Sequence, residues 1–182
     1  ERFDENSPLN PSNPYAASKA AAEHIVRSYS HTYDIKYQMI RMSNNYGRRQ
    51  YPEKLIPRSL LRLLHGKKAQ LHGDGTYQRV WLHVEDAVDA ILKIITKGEV
   101  NTIYNISSDV EMTNNEVLKT LTDIMGLDFD EQVEYVANRP GQDLRYCIDY
   151  SKVRALGWEP KEDFREALAA IVEETRIDPH WG

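Results

Sequence analysis

The chain has 182 residues and a mass of 21.1 kDa, enough for one domain or for one domain and part of a second. With 41% hydrophobic and 28% charged residues, it is too apolar for a disordered protein. A formal net charge of −5 argues against a general binder of polyanions, and the single cysteine, Cys147, excludes an internal disulfide and a cysteine-rich zinc site.

The sequence contains no pattern typical of a membrane protein. No apolar run approaches the roughly 18 residues that span a bilayer. Residues 1–5 are mostly charged, unlike a signal peptide. We therefore expect a cytoplasmic protein, in a reducing compartment, without a membrane partner.

Helical and strand patterns alternate along the chain, which is typical of an α/β protein. Residues 6–14 contain three prolines and predict an extended loop, whereas residues 15–33 are rich in alanine and predict a long helix. Thr113 and Glu116 have the spacing of a capping box, so another helix is expected to begin there. Helices are predicted at residues 15–33, 54–64, 84–96, 113–125, 151–155 and 163–175, strands at residues 36–42, 70–72, 78–82, 101–106 and 132–137, and loops or turns at residues 44–52 and 73–75.

The glycine-rich G-x-G-x-x-G turn that binds dinucleotides in Rossmann folds is absent from the sequence. The proline-rich beginning also resembles a connection that arrives from a preceding element. Two interpretations remain at this point. Either the protein uses no dinucleotide, or the half that would bind one lies before Glu1.

Tyr15 and Lys19 are four residues apart at the start of the first predicted helix, so both side chains lie on one face. An ammonium group beside a phenol favours the phenolate, which can take a proton from a substrate hydroxyl. The preceding Pro14 and the small residues 16–18 leave room for a ligand. The alternative is a surface pair without function, since this spacing also arises by chance.

Asn44 and Asn45 are adjacent amides at the carboxyl end of the first predicted strand. Ligands of α/β proteins bind at this end of the strands, so both amides are candidates for contacts with a ligand. An ordinary turn is the alternative, because Asn and Gly favour turns.

Residues 48–68 hold seven basic residues against one acid, Glu53. Lys54, Arg58 and Arg62 share one face of the predicted helix. This face is either solvated or a site for an anion such as phosphate. Nucleic acid is a third alternative, against which the absence of interleaved aromatic residues argues.

Arginines elsewhere in the sequence are further candidates for phosphate recognition, although each alone also suits a structural ion pair. Arg79 lies on a predicted strand, Arg139 in a Pro-Gly loop, and Arg145 on the strand expected after it. The six histidines show no spacing of metal ligands, so we expect no metal site.

Several short motifs follow one another in a characteristic order. They are Asn44-Asn45-Tyr46-Gly47, Pro52-Glu53-Lys54-Leu55-Ile56-Pro57, Tyr104-Asn105-Ile106, Asn138-Arg139-Pro140-Gly141 and Leu156-Gly157-Trp158. Together they resemble the carboxyl-terminal half of extended short-chain dehydrogenases/reductases, and within them the nucleotide-sugar 4,6-dehydratases. The resemblance covers residues 3–175. The run at residues 52–57 is usually missing from the epimerases and decarboxylases of the superfamily.

The resemblance implies a reaction and roles for individual residues. Tyr15 corresponds to the base that deprotonates the sugar 4-hydroxyl while C4 passes hydride to NAD. Lys19 corresponds to the residue that holds the nicotinamide ribose and lowers the pKa of the tyrosine. Water then leaves across C5 and C6, hydride returns to C6, and Asn45 corresponds to another cofactor contact. The positions that correspond to nucleotide-sugar contacts are Asn44, Lys54, Leu55, Gln70, Leu71, His72, Arg79, Asn105, Asn138, Arg139 and Gln142.

The resemblance also implies a domain organisation. Residues 1–66 would end a Rossmann-like NAD-binding domain and begin the substrate region, and residues 67–182 would form mainly a small α/β domain that binds the nucleotide sugar. Some later segments would return to the Rossmann sheet. The glycine-rich turn and a Thr-Asp-Glu segment precede the matched region in the family. We therefore expect a carboxyl-terminal fragment that is inactive alone, with an open sheet edge at residues 36–42, and a homodimer of the longer protein through the helix at residues 15–33.

Departures from the family pattern leave the nucleobase open. Gln142 and Asn138 stand where the dTDP-glucose enzymes usually have His and Asp, and His72-Gly73-Asp74-Gly75 resembles the UDP-glucose 4,6-dehydratases. The expected reaction converts dTDP-glucose to its 4-keto-6-deoxy product. The alternatives are UDP-glucose as substrate, a related epimerase or decarboxylase, and a nucleotide-sugar-binding module without catalysis.

Overall fold

The computed structural model describes residues 2–138 and 145–178, with the main chain alone at residues 145 and 146. The helices of this part are α1 (Pro14–Tyr33), α2 (Leu55–Leu64), α3 (Val84–Lys97), α4 (Asn114–Met125), α5 (Phe129–Gln132), α6 (Ser151–Arg154) and α7 (Phe164–Ile177). The strands are β1 (Gln38–Met42), β2 (Asn44–Tyr46), β3 (Ala69–His72), β4 (Gln78–His83), β5 (Thr102–Ile106), β6 (Glu111–Thr113), β7 (Val133–Val136) and β8 (Arg145–Tyr146).

Local capping explains where the long helices begin. The Asn13 side chain accepts the N–H of Ala16 at the start of α1, and a proline occupies the first helical position. Thr113 and Glu116 form the predicted capping box of α4, with both reciprocal bonds present. Asp163 caps α7. The predicted helices are confirmed to within two residues at each end.

Parallel strand pairs confirm the predicted α/β class. β1 pairs with β5, and β3 pairs with β7. β4 has neighbours along its whole length, because β2 pairs with its second half and both β6 and β8 pair with its first half. Among the strand pairs of the described residues, only the β4–β6 pair is antiparallel. Within the described residues, β1 pairs with β5 along one edge and with no strand along the other.

Two strands and one short helix escaped the sequence prediction. The loop predicted at residues 44–52 contains β2, so that prediction is wrong for residues 44–46. β6 and α5 formed no part of the prediction. β2 and β6 are three residues long, and each exists because it hydrogen-bonds to β4. Long-range pairing therefore overrides the weak strand propensity of these polar segments.

The buried side chains form two hydrophobic cores whose residues alternate along the chain. The first core joins α2, β3, α4, β7 and α7, with Leu60 and Leu168 almost fully buried. The second joins α3, β5 and α6 to β1, with Leu82 and Trp158 at its centre. The first core contains buried residues from before and after position 66, and Ile40 packs against the second core. The domain division at position 66 stays a prediction.

Helix α1 differs from the other long helices because it has no buried residue. Its side chains Ile25, Tyr29 and Tyr33 are 56%, 54% and 67% exposed. A continuous apolar face of this kind is typical of a surface that another part of a protein covers. None of the helices in residues 2–138 and 145–178 combines the length and the hydropathy needed to cross a bilayer.

Candidate active site

Tyr15 and Lys19 lie in the first turns of α1, one turn apart on one face, as their spacing predicts. Tyr15 is 74% exposed and Lys19 is also exposed. Within the described part of the chain, neither side chain forms a hydrogen bond or an ion pair. The phenol and the ammonium group are therefore both available to a ligand, which suits a general base and its cationic neighbour.

An ion pair fastens α1 to β1. Arg41 of β1 donates from Nε to Glu23 Oε1 at 2.8 Å and from Nη2 to Glu23 Oε2 at 2.6 Å. Arg41 also donates from Nη1 to the Glu5 carbonyl at 3.2 Å. The Glu5 carboxylate in turn accepts the N–H of Asn105 on β5. A bidentate ion pair thus joins the helix that carries Tyr15 to β1, and Glu5 joins the segment before this helix to β1 and β5.

Asn44 and Asn45 lie on β2, beside the second half of β4. Asn44 is exposed, opposite Trp81. The Asn45 main-chain carbonyl accepts the side chain of Gln50 at 2.7 Å, while Asn45 Oδ1 is buried without a partner among the described residues. A buried carbonyl oxygen without a donor fits a polar group of a bound cofactor.

The amino terminus of α2 is open to an anion. Lys54 precedes the helix, and its ammonium lies 2.7 Å from the exposed carboxylate of Glu53. No side chain caps this helix, and Pro57 brings no N–H, so the main-chain N–H groups of Leu55 and Ile56 have no capping acceptor. The Leu55 side chain packs against the first core, so a ligand would meet the main chain of Leu55.

Two residues of the basic face of α2, Arg58 and Arg62, are neither solvated nor open to an anion. Arg58 donates to Gln70 Oε1 at 2.7 Å, and Gln70 donates to Glu134 Oε1 at 2.8 Å. Arg62 contacts the same Glu134 carboxylate at 3.3 Å. These bonds join α2 to β3 and β7, and they engage both ends of the Gln70 amide. Leu71 is 1% exposed, so its side chain belongs to the core.

Tyr77 joins two of the predicted substrate contacts, although the sequence analysis did not select it. Its hydroxyl accepts a hydrogen bond from Asn138 Nδ2 at 2.5 Å, and the guanidinium of Arg79 lies 5.8 Å from the centre of its ring. His72 Nδ1 is 2.9 Å from the carbonyl of Ala137, one residue before Asn138. The turn after β3, the end of β7 and the start of β4 therefore bring His72, Asn138 and Arg79 into one region.

Asn114 is a candidate that the sequence analysis missed. Its main-chain N–H donates to the Tyr77 carbonyl, and it follows Thr113, which lies opposite Gln78 in the β4–β6 pair. In residues 2–138 and 145–178 its side chain forms no hydrogen bond. Its sequence position, at the start of a capped helix, gives no functional signal. Only the pairing of β6 with β4 places it near Arg79.

The Asn105 side chain is buried and bonded to the main chain, and it is not open to solvent. It is 1% exposed, and Nδ2 donates to the carbonyls of Phe3 at 3.2 Å and Asp149 at 2.9 Å. These bonds join β5 to the beginning of the chain and to the segment before α6. A substrate contact by Nδ2 would require one of them to break, whereas Oδ1 is buried without a partner among the described residues. Arg139 and Gln142 lie outside the described residues.

A cavity of about 360 Å³ opens near the carboxyl ends of β2 and β4. Its lining includes Tyr46 and four carboxylates, of which Asp86, Glu162 and Asp163 act on the Tyr46 phenol. Burial and then these carboxylates raise the pKa of Tyr46 above its ordinary value. Tyr46 therefore stays protonated and, unlike Tyr15, is unsuited to act as a base.

Two carboxylates of this cavity, Asp86 and Asp163, are already engaged. Asp86 accepts the N–H groups of Lys161 and Glu162, and Asp163 caps α7. Within the described ranges, no group of three or more His, Cys, Asp or Glu side chains is arranged to hold a metal ion.

Asp109, on the rim of the same cavity, belongs to a charged network. Hydrogen bonds from Tyr150 and Arg2 hold the pKa of Asp109 below its ordinary value. Burial and the bond to Asp109 raise the pKa of Tyr150 to about 12. Both groups thus keep their ordinary charge near neutral pH and are poor proton donors or acceptors for a substrate.

Comparison with known proteins places the chain among nucleotide-sugar enzymes. The sequence model of the GDP-mannose 4,6 dehydratase family matches residues 1–171. The chain is 42% identical to the low-salt glycan biosynthesis protein Agl12 of Haloferax volcanii, over 94% of this chain and 55% of that protein. It is also 42% identical to the dTDP-glucose 4,6-dehydratase of Neisseria gonorrhoeae, over 94% of this chain and 53% of that enzyme.

A solved structure of a related enzyme is similar to this chain in fold and in sequence. The dTDP-glucose 4,6-dehydratase of Streptomyces venezuelae, crystallised with NAD and a second ligand, superposes with a TM-score of 0.95 at 40% identity. The alignment covers all of this chain and 56% of that one. The chain spans about half the length of the relatives that it matches.

Proposed function

The chain belongs to the GDP-mannose 4,6-dehydratase family, and on that premise we propose that it supplies the base and the nucleotide-sugar-binding elements of an NAD-dependent 4,6-dehydratase. The proposed substrate is dTDP-glucose, because relatives of that activity match nearly the whole chain. The observation that carries the proposal is the Tyr15–Lys19 pair, one helical turn apart, exposed, and without partners in the described chain.

The reaction begins with proton transfer to Tyr15. Its phenolate oxygen removes the proton of the sugar 4-hydroxyl, while Lys19 stabilises the negative charge on that oxygen and binds the cofactor ribose. NAD, when bound, would accept the hydride of C4 and, once water has left across C5 and C6, would return it to C6. The free ammonium of Lys19 and the unpartnered Oδ1 of Asn45 fit that cofactor.

The diphosphate and the nucleobase would be held by Arg79 on β4 and by the start of α2. Arg79, whose guanidinium lies over the Tyr77 ring, provides a fixed positive charge for the pyrophosphate. The open amino terminus of α2, with Lys54 and Leu55, provides main-chain N–H groups for a second anionic or carbonyl oxygen. The side chains of Asn44, His72 and Asn138 are the further polar contacts, and Asn114 joins them.

A homodimer and a cytoplasmic location belong to the same proposal. The exposed apolar face of α1, formed by Ile25, Tyr29 and Tyr33, is suited to pack against the same helix of a second copy. Cys147 is a buried free thiol, which suits a reducing compartment.

A second candidate, UDP-glucose as substrate, is favoured by His72 and by the glycines that follow it. The proposal is tested with the full coding sequence that contains this chain. The purified protein is incubated with NAD and either dTDP-glucose or UDP-glucose, and formation of the 4-keto sugar is followed. Faster turnover of dTDP-glucose supports the proposal, faster turnover of UDP-glucose selects the second candidate, and the absence of any 4-keto product contradicts both.

A further inference from the structure

Tyr15, Lys19 and Glu23 follow one another at intervals of four residues, so they form one stripe along α1. A lysine and a glutamate four residues apart on a helix can form an ion pair. A free Glu23 carboxylate would therefore attract the Lys19 ammonium towards the middle of the helix and away from Tyr15.

Arg41 prevents this competition in the structure. Its Nε and Nη2 donate to both carboxylate oxygens of Glu23 at 2.8 and 2.6 Å, and the two side chains are only 14% and 17% exposed. The Glu5 carbonyl accepts from the third guanidinium nitrogen and fixes the orientation of Arg41. A bidentate pair at such burial engages the whole carboxylate. Lys19, only one turn away, forms no ion pair with any described residue.

We propose that Arg41 is a positioning residue for the Tyr15–Lys19 pair, because it binds the Glu23 carboxylate and so keeps the Lys19 ammonium free for the base and the cofactor. This inference rests on the proposed function. The charged residues in these contacts are Glu23 on α1, Arg41 on β1 and Glu5 in the segment before α1, and Lys19 lies one helical turn from Glu23. Loss of Arg41 should therefore affect the Tyr15–Lys19 pair more than loss of the Glu23 carboxylate, whereas a purely structural ion pair would make the two losses equal.

The first test exploits this inequality in the protein made from the full coding sequence. Arg41→Met leaves an unpaired carboxylate beside Lys19, and we expect kcat to fall about 10-fold or more, with KM for the nucleotide sugar changed less than about threefold. The acid limb of the kcat–pH profile moves to higher pH, because the added negative charge disfavours the anionic base. Glu23→Gln breaks the same ion pair but leaves no carboxylate, so kcat stays within about threefold of the wild type. The double variant behaves like Glu23→Gln.

The second test reads the state of Lys19 without catalysis. The protein without added cofactor is acetylated with a trace amount of acetic anhydride, and modification of Lys19 is measured by mass spectrometry against the exposed Lys67. In Arg41→Met the ion pair with Glu23 keeps the Lys19 amine protonated, so its acetylation slows about threefold, whereas Glu23→Gln leaves the rate unchanged. If Arg41→Met fails to fold, Arg41→Lys takes its place, with a smaller effect in the same direction.

The outcomes separate this inference from the proposed function. Equal losses of kcat in Arg41→Met and Glu23→Gln, or unchanged Lys19 acetylation in both, overturn the role of Arg41 and leave the dehydratase proposal intact. A wild-type protein without 4-keto product on either sugar overturns the proposed function. In that case, slowed acetylation in Arg41→Met alone still supports the control of Lys19 by Arg41.

Discussion

Arg79 is expected to contribute a large share of the affinity for the nucleotide diphosphate. Its guanidinium lies 5.8 Å from the centre of the Tyr77 ring, so it is held in place before a ligand arrives. Charge-assisted hydrogen bonds contribute about 1.5–3 kcal/mol each, so Arg79→Ala should weaken binding by about 10- to 150-fold if one such bond is lost. Arg79→Lys should recover only part of this loss, because an ammonium group cannot form the bidentate contact.

Tyr77→Phe separates the contribution of the Tyr77 ring from that of the Tyr77 hydroxyl. The ring that lies beside Arg79 remains, while the hydroxyl that accepts from Asn138 is removed. One neutral hydrogen bond contributes about 0.5–1.5 kcal/mol, so a loss of about 2- to 12-fold is expected. Both variants are assayed by calorimetric titration with dTDP and with UDP. Lys67→Ala is the control, because it removes one exposed positive charge from the basic segment at residues 48–68, which does not include Arg79. An affinity of Arg79→Ala that equals that of Lys67→Ala would refute the placement of the diphosphate at Arg79.

Other predictions concern the base and the stability of the elements that support the site. Tyr15→Phe should lower kcat by about 10²- to 10⁴-fold while dTDP affinity is retained, and turnover within threefold of the wild type would exclude Tyr15 as the base. Hydrogen bonds from the Thr113 main chain and hydroxyl lower the pKa of Glu116. The stability that this cap provides is therefore present above the ordinary pKa of Glu116 and is lost as the pH falls through the lowered value. Thermal unfolding midpoints at pH 7 and pH 3 should differ less in Glu116→Gln than in the wild type, and an equal difference would contradict the cap. Gly75→Ala should lower the unfolding free energy by about 1–3 kcal/mol, because φ is +72° and the new Cβ would lie 2.3 Å from Asn115 Oδ1. Gly126→Ala, at φ +70° with open space around it, is the control and should cost about 1 kcal/mol, so equal losses in both variants would exclude the clash.

The helices could be predicted from the sequence because their signals are local. Asn13 and Pro14 begin α1, Thr113 and Glu116 cap α4, and Asp163 caps α7. The short strands β2 and β6 could not, since their polar residues become strands only through hydrogen bonds to β4.

In the candidate site, too, local features could be predicted from the sequence and long-range contacts could not. The spacing of Tyr15 and Lys19 follows from one helix, so the sequence alone placed them on one face. Asn105 and Asn114 could not be ranked in this way, because burial and strand pairing decide which amide is engaged. Asn105 Nδ2 donates to the carbonyls of Phe3 and Asp149. Asn114, in contrast, is placed near Arg79 by the β4–β6 pair.

The measurement that tests the central claim most directly follows the hydrogen at C4 of the sugar. The protein made from the full coding sequence is incubated with NAD and dTDP-glucose that carries deuterium at C4, and the product is analysed by NMR and mass spectrometry. If Tyr15 and Lys19 support oxidation at C4 and return of the same hydride, the product is a 4-keto-6-deoxy sugar with deuterium at C6. A product that keeps the deuterium at C4, or the absence of a 4-keto sugar, would contradict the account.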